Sequence, residues 1–323
     1  MSSCADRPSE HRLVTPPLPP GSCSSFTDEE LAGTAAHENL WVALEHPGNW
    51  GRDIYDGHAF DAETSAALQQ KMADAGARLL LIRKPGRAGQ AARAAGSHRV
   101  FVADAAKARL YALTVKDARD LLDLPLDTPQ LIAGARQVQQ TLMLVCTNAK
   151  RDRCCALAGR PLADFLAREL PADTVWECSH TGGHRFAPVA IALPTGYTYG
   201  RLNAASGLSA YRSLAEHNAP STLGLRGRST LDGAEQAAEV LVRRELAERG
   251  ETPSVGDLTI SELAKPGARS AGVHHVVVTH RDGRRWELAL QQKGLPPRPA
   301  SCGKEAKPGA SWVPAQERPA SSC

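Results

Sequence analysis

Along the middle of the chain, short continuous runs of apolar residues alternate with stretches in which apolar residues recur every three or four positions. The runs predict strands, and the wider spacing predicts helices. A first stretch predicts strands at 40–46, 77–84, 99–104 and 109–114 and helices at 61–77 and 115–124. A second stretch predicts strands at 141–146, 174–178, 189–194 and 197–202 and helices at 155–170 and 205–217. The succession of strand, helix, strand and hairpin thus occurs twice, with its first strands roughly 100 residues apart. This order predicts an α/β fold of the thioredoxin-like plan, with helices on the faces of a sheet.

The regions outside these two stretches show other patterns. A helix at 232–249 and a hairpin at 272–290, turning at Asp282-Gly283, predict an α+β extension. The first 39 residues are rich in Pro, Ser and Gly, and from about 296 onward no apolar period remains, which is typical of flexible ends. The expected units are an N-terminal arm (1–39), an α/β lobe without candidate ligands, read as a degenerate thioredoxin-like lobe (40–136), a thioredoxin-like lobe with the candidate site (137–218), a C-terminal extension (219–300) and a tail (301–323).

Composition and charge narrow the class of protein. The 323 residues allow about two domains, and 42% apolar with 23% charged residues is ordinary globular usage. A net charge of +3 and only 5% aromatic residues indicate neither a basic face nor stacking platforms, so no nucleic acid is expected as a partner. No run of about 18 apolar residues and no apolar leader occurs, so no membrane is expected and the predicted location is cytoplasmic.

The cysteines are clustered rather than spread as a disulfide framework. Four of the eight fall within 146–178, and the other four lie near the ends of the chain. Cys178 follows a tryptophan on a predicted strand and is interpreted as a small buried apolar residue. Cys4, Cys23 and Cys323 are expected to have no function, and packing is expected for Cys302.

Two segments combine sulfur with imidazole. The segment CTNAKRDRCC (146–155) runs from the end of a predicted strand to the start of a helix, where the helix dipole stabilises thiolates. The segment CSHTGGH (178–184) leaves the next strand and contains a Gly-Gly pair, which lets the backbone turn sharply. The side chains of both segments are therefore expected at one edge of the sheet.

This set of donors points to a metal. Two thiolates from Cys146 and Cys155 and two neutral imidazoles from His180 and His184 suit either zinc or an iron–sulfur cluster. Structural zinc usually takes cysteines separated by about two to four residues, whereas eight residues separate Cys146 from Cys155. The spacing therefore favours an iron–sulfur cluster over zinc.

The strings VCTNAKRDRCC, SHTGGHRFAP and GYTYGRL resemble the sucrase/ferredoxin-like family, and the resemblance extends over about 40–305. It implies a thioredoxin-like ferredoxin whose 2Fe-2S cluster is held by two cysteines and two histidines. Carried onto this sequence, these are Cys146, Cys155, His180 and His184, with Cys154 as the alternative to Cys155. The implied function is electron transfer, coupled to a proton where an imidazole releases its remaining ring proton.

Two further expectations concern partners and alternatives. Lys150, Arg151, Arg153 and Arg185 flank the ligands and would steer an acidic redox partner protein. A zinc-stabilised binding module using the same four ligands, or an enzyme in which Cys146 or Cys155 attacks a substrate, remains open. The first lobe has no cysteine in its corresponding loop and would cover the cluster or dock the partner.

Overall fold

The computed structural model describes residues 18–86, 89, 97–263 and 272–315. Cys4 and Cys323 lie outside these residues. Over the described part, no helix combines the length and the apolar character needed to cross a bilayer. The chain folds as a mixed α/β protein with one large mixed sheet and one small antiparallel sheet.

The large sheet runs through both halves predicted from the sequence. Its strands in chain order are β1 (Leu40–Glu45), β2 (Ala77–Arg83), β3 (His98–Asp104), β4 (Arg109–Val115), β5 (Arg136–Val138), β6 (Leu142–Cys146), β7 (Val175–Cys178), β8 (Ala190–Leu193), β9 (Tyr197–Tyr199) and β10 (Leu225–Arg228). They are arranged in space as β10-β9-β8-β6-β7-β2-β1-β3-β4-β5. The short strands β5 and β10 are additions to the predicted set.

Four α-helices and a second sheet complete the described part of the chain. The helices are α1 (Ala62–Asp74), α2 (Arg153–Glu169), α3 (Ala204–His217) and α4 (Gly233–Glu248). The second sheet consists of β11 (Leu258–Glu262), β12 (Val273–His280), β13 (Arg285–Pro299) and β14 (Ala306–Pro314), each antiparallel to the next. The segment predicted as a short helix at 115–124 contains a 3-10 helix, Ala118–Asp123.

The two halves of the large sheet have the same strand order. In the first half β1 pairs in parallel with β2 and antiparallel with β3, and β3 pairs with β4. In the second half β6 pairs in parallel with β7 and antiparallel with β8, and β8 pairs with β9. The halves meet where β2 and β7 run antiparallel, with Ile82 opposite Cys178 and Arg83 opposite Glu177. The repeated pattern of the sequence therefore corresponds to two similar units of one continuous sheet.

Burial explains why the central strands read as unbroken apolar runs. All residues of β1 and β6 are buried, as expected for strands covered on both faces. The predicted apolar face of α2 packs on this sheet, where Leu162 and Leu166 join the same core as Met143. Pro161 lies on the exposed side of α2 and is accommodated within the helix.

Both ends of the described chain pack against the second half of the large sheet and its loops. Within residues 18–39, the described part of the predicted arm, Glu29 forms an ion pair with Arg185. The sequence predicts a loose segment from about residue 296 onward. In the structure, β13 continues to Pro299, and β14 pairs with β13. Prolines and a bulge near Leu295 break the alternation of this hairpin, which is why its sequence shows no strand period.

Candidate metal centre

The candidate centre lies where two parallel strands end. Cys146 is the last residue of β6 and stands opposite Cys178, the last residue of β7. The loops that follow both strands leave the same edge of the sheet. The first loop leads into α2, whose N-cap is Asp152, with a side chain that accepts a hydrogen bond from the backbone N–H of Cys154. This topology brings segments 146–155 and 178–184 together.

Three of the predicted ligands form one group, which we call the inner group: Cys146, Cys155 and His180. The two sulfur atoms and a ring nitrogen of His180 all lie within 4.8 Å of one another. Both thiols are buried, with 1% of each residue exposed, whereas His180 is partly exposed. The group is therefore closed on its sulfur side and accessible on its imidazole side.

His184 lies beside the inner group. Its ring centroid is 5.0 Å from that of His180, and the two ring planes are inclined by 46°. Gly182 and Gly183 both have positive φ, +91° and +76°, and they turn the chain back so that the two rings face each other. The Gly-Gly pair thus has the role that the sequence indicates.

Three of the four imidazole nitrogens of this site lack hydrogen-bond partners in the described part of the protein. Nδ1 of His180 and both ring nitrogens of His184 are buried and unpaired. The nearest carboxylate oxygen to Nε2 of His184 is Oδ2 of Asp152, at 3.9 Å, which is too long for a hydrogen bond. Buried unpaired polar atoms are rare in native proteins and need an explanation. Coordination of a metal would satisfy one nitrogen of each ring, so the residues present fit such a group.

The protonation of Cys146 and His184 also fits, whereas Cys155 would release its proton to a bound metal. A hydrogen bond from the Cys155 thiol lowers the pKa of Cys146 well below its usual range, and the same contact raises the pKa of Cys155. Burial lowers the pKa of His184, so its ring is neutral at neutral pH. Thiolate and neutral imidazole are the forms in which these side chains bind metals.

An open cleft of about 520 Å³ gives access to His180. It lies between the first half of the protein and the loop after β7. Three cationic side chains line it, from Arg52, Arg78 and Arg151, together with the carboxylates of Glu38 and Asp53. Arg78 pairs with Glu38 at 3.4 Å.

Comparison with known proteins supports the resemblance seen in the sequence. Residues 31–211, more than half of the chain, match the family described as sucrase/ferredoxin-like. The chain belongs to this family. Searches of curated proteins and of solved structures found no significant match. The part that matches the sucrase/ferredoxin-like family contains all four predicted ligands and ends within α3.

A second cluster of potential ligands lies next to segment 146–155. We call it the outer group: Cys23, Asp152, Cys154 and Cys302, whose ligand atoms also lie within 4.8 Å of one another. The sequence interpretation gave Cys23 no function and gave Cys302 a packing function, and it had no signal that would bring them together. Cys178, by contrast, is fully buried in the core as interpreted, outside both groups.

Arginine side chains surround the turn that carries His184. Phe186 is fully buried, and the guanidinium carbons of Arg185, Arg201 and Arg226 lie 4.3, 5.3 and 5.0 Å from its ring centroid. Arg185, predicted as a flanking cation, is neutralised by the carboxylate of Glu29 at 2.7 Å. The sequence interpretation missed Arg226, which lies far along the chain.

Arg226 is the side chain that supports the histidine turn. It is buried and donates hydrogen bonds to the carbonyl oxygens of Gly182 and Thr34 and to the Thr34 hydroxyl. Burial lowers the pKa of this guanidinium. The turn between the two histidines is therefore fixed to the segment before β1.

Proposed function

We propose that this protein transfers electrons through a 2Fe-2S cluster held by Cys146, Cys155, His180 and His184. The observation that carries the proposal is the pairing of two buried thiols with two imidazoles whose buried nitrogens have no other partner. Membership of the sucrase/ferredoxin-like family supports the same assignment. A 2Fe-2S cluster at this site would accept and return one electron.

Within the proposal, Cys155 is the second sulfur ligand, and Cys154 is not. The sulfur of Cys155 shares the inner group with Cys146, whereas the sulfur of Cys154 is 3.4 Å from that of Cys302. Successive residues on a helix point about 100° apart, so the two neighbours cannot easily serve one metal.

We further propose that each half of the large sheet is a thioredoxin-like lobe. The argument is the strand order, β4-β3-β1-β2 in one half and β9-β8-β6-β7 in the other, with a helix between the two parallel strands of each. In this scheme the first lobe has no ligands and forms one wall of the cleft that leads to His180.

The ligand set and its surroundings would favour reduction. Two imidazoles in place of two thiolates remove two negative charges from the site. Centres of the Rieske type, with the same replacement, have potentials of roughly −150 to +300 mV, against about −400 mV for plant-type ferredoxins. The buried guanidinium of Arg226 adds positive charge nearby, which stabilises the reduced state.

The proposed partner is an acidic redox protein that docks over the cleft. Both thiols are buried, and of the two histidines His180 lines the cleft, so His180 is the ligand closest to a protein that docks there. Arg52 and Arg151 line the same cleft, and exposed Lys150 and Arg153 extend the positive charge along the loop. Association should therefore slow as ionic strength rises.

The test is anaerobic purification followed by iron and sulfide analysis, absorption spectra and electron paramagnetic resonance. We expect two irons and two inorganic sulfides per chain in the wild type. Cys155→Ser should lose most of the iron, whereas Cys154→Ser, the neighbouring matched control, should retain it. A colourless, iron-free wild-type protein, or equal loss of iron in both variants, would refute the assignment.

A zinc site at the inner group is the second candidate, because three donor atoms within 4.8 Å also suit a single ion. The same purification distinguishes the two, since a zinc protein would be colourless and would contain no iron. A thiol enzyme is disfavoured by the burial of Cys146 and Cys155, which keeps a substrate away from both sulfur atoms.

A further inference from the structure

The outer group joins three parts of the chain that are far apart in sequence. Cys23 begins the 3-10 helix Cys23–Ser25, Cys154 lies in the first turn of α2, and Cys302 lies between β13 and β14. Cys154 is 131 residues from Cys23 and 148 residues from Cys302. Cys23 and Cys302 both lie outside the part of the chain that matches the family.

We propose that the outer group is a second metal site, which binds one Zn²⁺ through Cys23, Cys154 and Cys302, with Asp152 as the fourth ligand. The inference does not depend on the nature of the metal at the inner group, and it holds whether or not the protein transfers electrons.

The sulfur atoms form a nearly regular triangle. Cys23 and Cys154 are 3.7 Å apart, Cys23 and Cys302 are 3.7 Å apart, and Cys154 and Cys302 are 3.4 Å apart, measured between Sγ atoms. Tetrahedral zinc with bonds of about 2.3 Å to sulfur requires sulfur–sulfur distances of about 3.8 Å. The triangle is therefore close to the face of a zinc tetrahedron.

A disulfide explains the arrangement less well. A disulfide joins two sulfur atoms at about 2.05 Å and would leave the third cysteine without a partner. Here all three sulfur atoms approach one another to a similar extent, and the described cysteines are free thiols. Three converging sulfur atoms are the arrangement that a thiophilic ion uses.

Hydrogen bonds hold Asp152 in position to be the fourth zinc ligand. Its Oδ2 accepts hydrogen bonds from the Ser301 hydroxyl at 2.8 Å and from the backbone N–H of Cys302 at 2.7 Å. Its Oδ1 accepts one from the N–H of Cys154 at 2.9 Å. The Cys23 thiol also donates a hydrogen bond to Oδ2, and Zn²⁺ would take the place of that thiol proton. Oδ2 lies 3.4 Å from the sulfur of Cys23, a separation suited to two ligands of one zinc ion.

The surroundings suit a structural site rather than a catalytic one. Cys23, Cys154 and Asp152 are buried, and Cys302 is only partly exposed. Cys23 and Cys154 belong to a small apolar cluster of their own, and the guanidinium of Arg153 lies beside Cys302. Four protein ligands leave no open position for a substrate. Zinc here would fasten the N-terminal segment and the β13–β14 connection to the start of α2.

The experiment uses the full-length protein purified anaerobically from zinc-supplemented cells. Zinc and iron are counted per chain, and zinc affinity is measured by competition with a chromogenic chelator. We expect one zinc per chain at this site, in addition to any metal held by the inner group. Cys302→Ser and Cys154→Ser should weaken binding of this zinc by about tenfold or more, at least the loss seen when a supporting residue of a metal site is removed. The iron content should not change. Cys178→Ala, a buried cysteine outside both groups, is the matched control and should retain zinc.

Three results would overturn the proposal. One is a wild-type protein that holds no zinc even after exposure to excess Zn²⁺. Another is zinc that is lost in Cys146→Ser but kept in Cys302→Ser, which would place it in the inner group. The third is a Cys154–Cys302 disulfide in the intact mass of the anaerobic protein.

If the serine variants fail to fold, removal of zinc from the wild type should lower the thermal midpoint, and added Zn²⁺ should restore it. An unchanged midpoint would count against the site.

Discussion

At the scale of single residues, the adjacent pair Cys154 and Cys155 shows how a helix divides neighbouring side chains between two sites. Both occupy the first turn of α2, where side chains point about 100° apart. One sulfur meets Cys146 and His180, and the other meets Cys23 and Cys302. The two cysteines therefore provide a matched pair for every metal measurement on this protein.

The turn between the histidines depends on the absence of a side chain at Gly183. This residue has a φ of +76°, and a Cβ atom there would approach Cζ of the buried Arg226 to 2.7 Å. Arg226 cannot yield easily, because it is hydrogen-bonded to Gly182 and Thr34. We expect Gly183→Ala to displace His184 and to remove most of the bound iron, measured by iron analysis and visible absorption.

Gly182→Ala is the control for this prediction. Gly182 also has a positive φ, +91°, but a Cβ atom there would meet no atom within 4 Å. The substitution should cost only the strain of a left-handed alanine, about 1–2 kcal/mol, and iron should be retained. If both variants bound iron equally well, the contact with Arg226 would not be what shapes the turn.

In the proposed cluster, proton coupling would arise at the individual imidazole ligands. Reduction adds negative charge beside the rings and so favours their protonated form. The midpoint potential should therefore fall as pH rises through the ligand pKa, by up to about 59 mV per pH unit for each proton taken up with the electron. His184→Cys should lower the potential and weaken this slope, measured by protein-film voltammetry. A potential that stays constant between about pH 6 and 10 would exclude coupling at the ligands.

At the scale of elements, the contact of α2 with β6 positions Cys146 and Cys155, the proposed sulfur ligands. Gly159 lies in α2, and a Cβ atom there would overlap the carbonyl oxygen of Cys146 at the end of β6. The missing side chain allows the helix to approach the strand closely. The distance between Cys155, at the start of the helix, and Cys146 depends on this approach.

Gly159→Ala should therefore reverse the usual effect of this substitution. In an exposed helix, replacing Gly by Ala stabilises by about 1 kcal/mol. Here we expect a loss of about 1–3 kcal/mol from overpacking, with a lower iron content. The measurements are the urea unfolding midpoint and the iron count.

Gly207→Ala in α3 is the matched helical control. A Cβ atom at Gly207 would meet only methyl groups of Leu162 and Leu166, at 3.2–3.3 Å, which can shift slightly. Its stability should stay within about 1 kcal/mol of the wild type, because the gain in helix propensity on replacing Gly by Ala, about 1 kcal/mol, offsets the small shift of the leucine methyl groups. Its iron content should be complete. Similar behaviour of both variants would show that the approach of α2 to β6 has no special importance.

At the scale of the whole molecule, the two halves meet along β2 and β7, where a shared apolar core and buried polar contacts join them. The β2–β7 pairing includes Arg83 opposite Glu177, and their side chains form an ion pair at 2.8 Å. Glu177 is 1% exposed and also accepts a hydrogen bond from the Thr147 hydroxyl at 3.0 Å. The guanidinium of Arg83 stacks on Trp50, 4.2 Å from the ring centroid.

Breaking this ion pair from one side should weaken the joint. Arg83→Met would leave a buried carboxylate without its cation, which typically costs about 3–5 kcal/mol. We expect a corresponding drop in the urea unfolding midpoint of the full chain and a partial recovery when Glu177→Gln is added. The control is Arg78→Met on the same strand, whose partly exposed pair with Glu38 should contribute less than about 1 kcal/mol. Equal effects of the two methionine variants would contradict this interpretation of the joint.

Much of this architecture could be read from local patterns. The apolar periods located the principal strands and helices of both halves, because each period records which face of an element is buried. Because neighbouring parallel strands end at one edge of a sheet, the two segments CTNAKRDRCC and CSHTGGH predicted that Cys146, Cys155, His180 and His184 lie together. The structure groups the first three within 4.8 Å and has His184 beside His180. The family resemblance rests on the same two segments and is confirmed over residues 31–211.

Other features depend on contacts between segments that are far apart in the chain. The joining of the halves through β2 and β7, the support of the histidine turn by Arg226 and the convergence of Cys23, Cys154 and Cys302 left no local signal. The hairpin of β13 and β14 was hidden by prolines and a bulge. A period in the sequence reports only which side of an element is buried. Which distant segment covers that side follows from chain topology and side-chain packing, and these exist only in the folded protein.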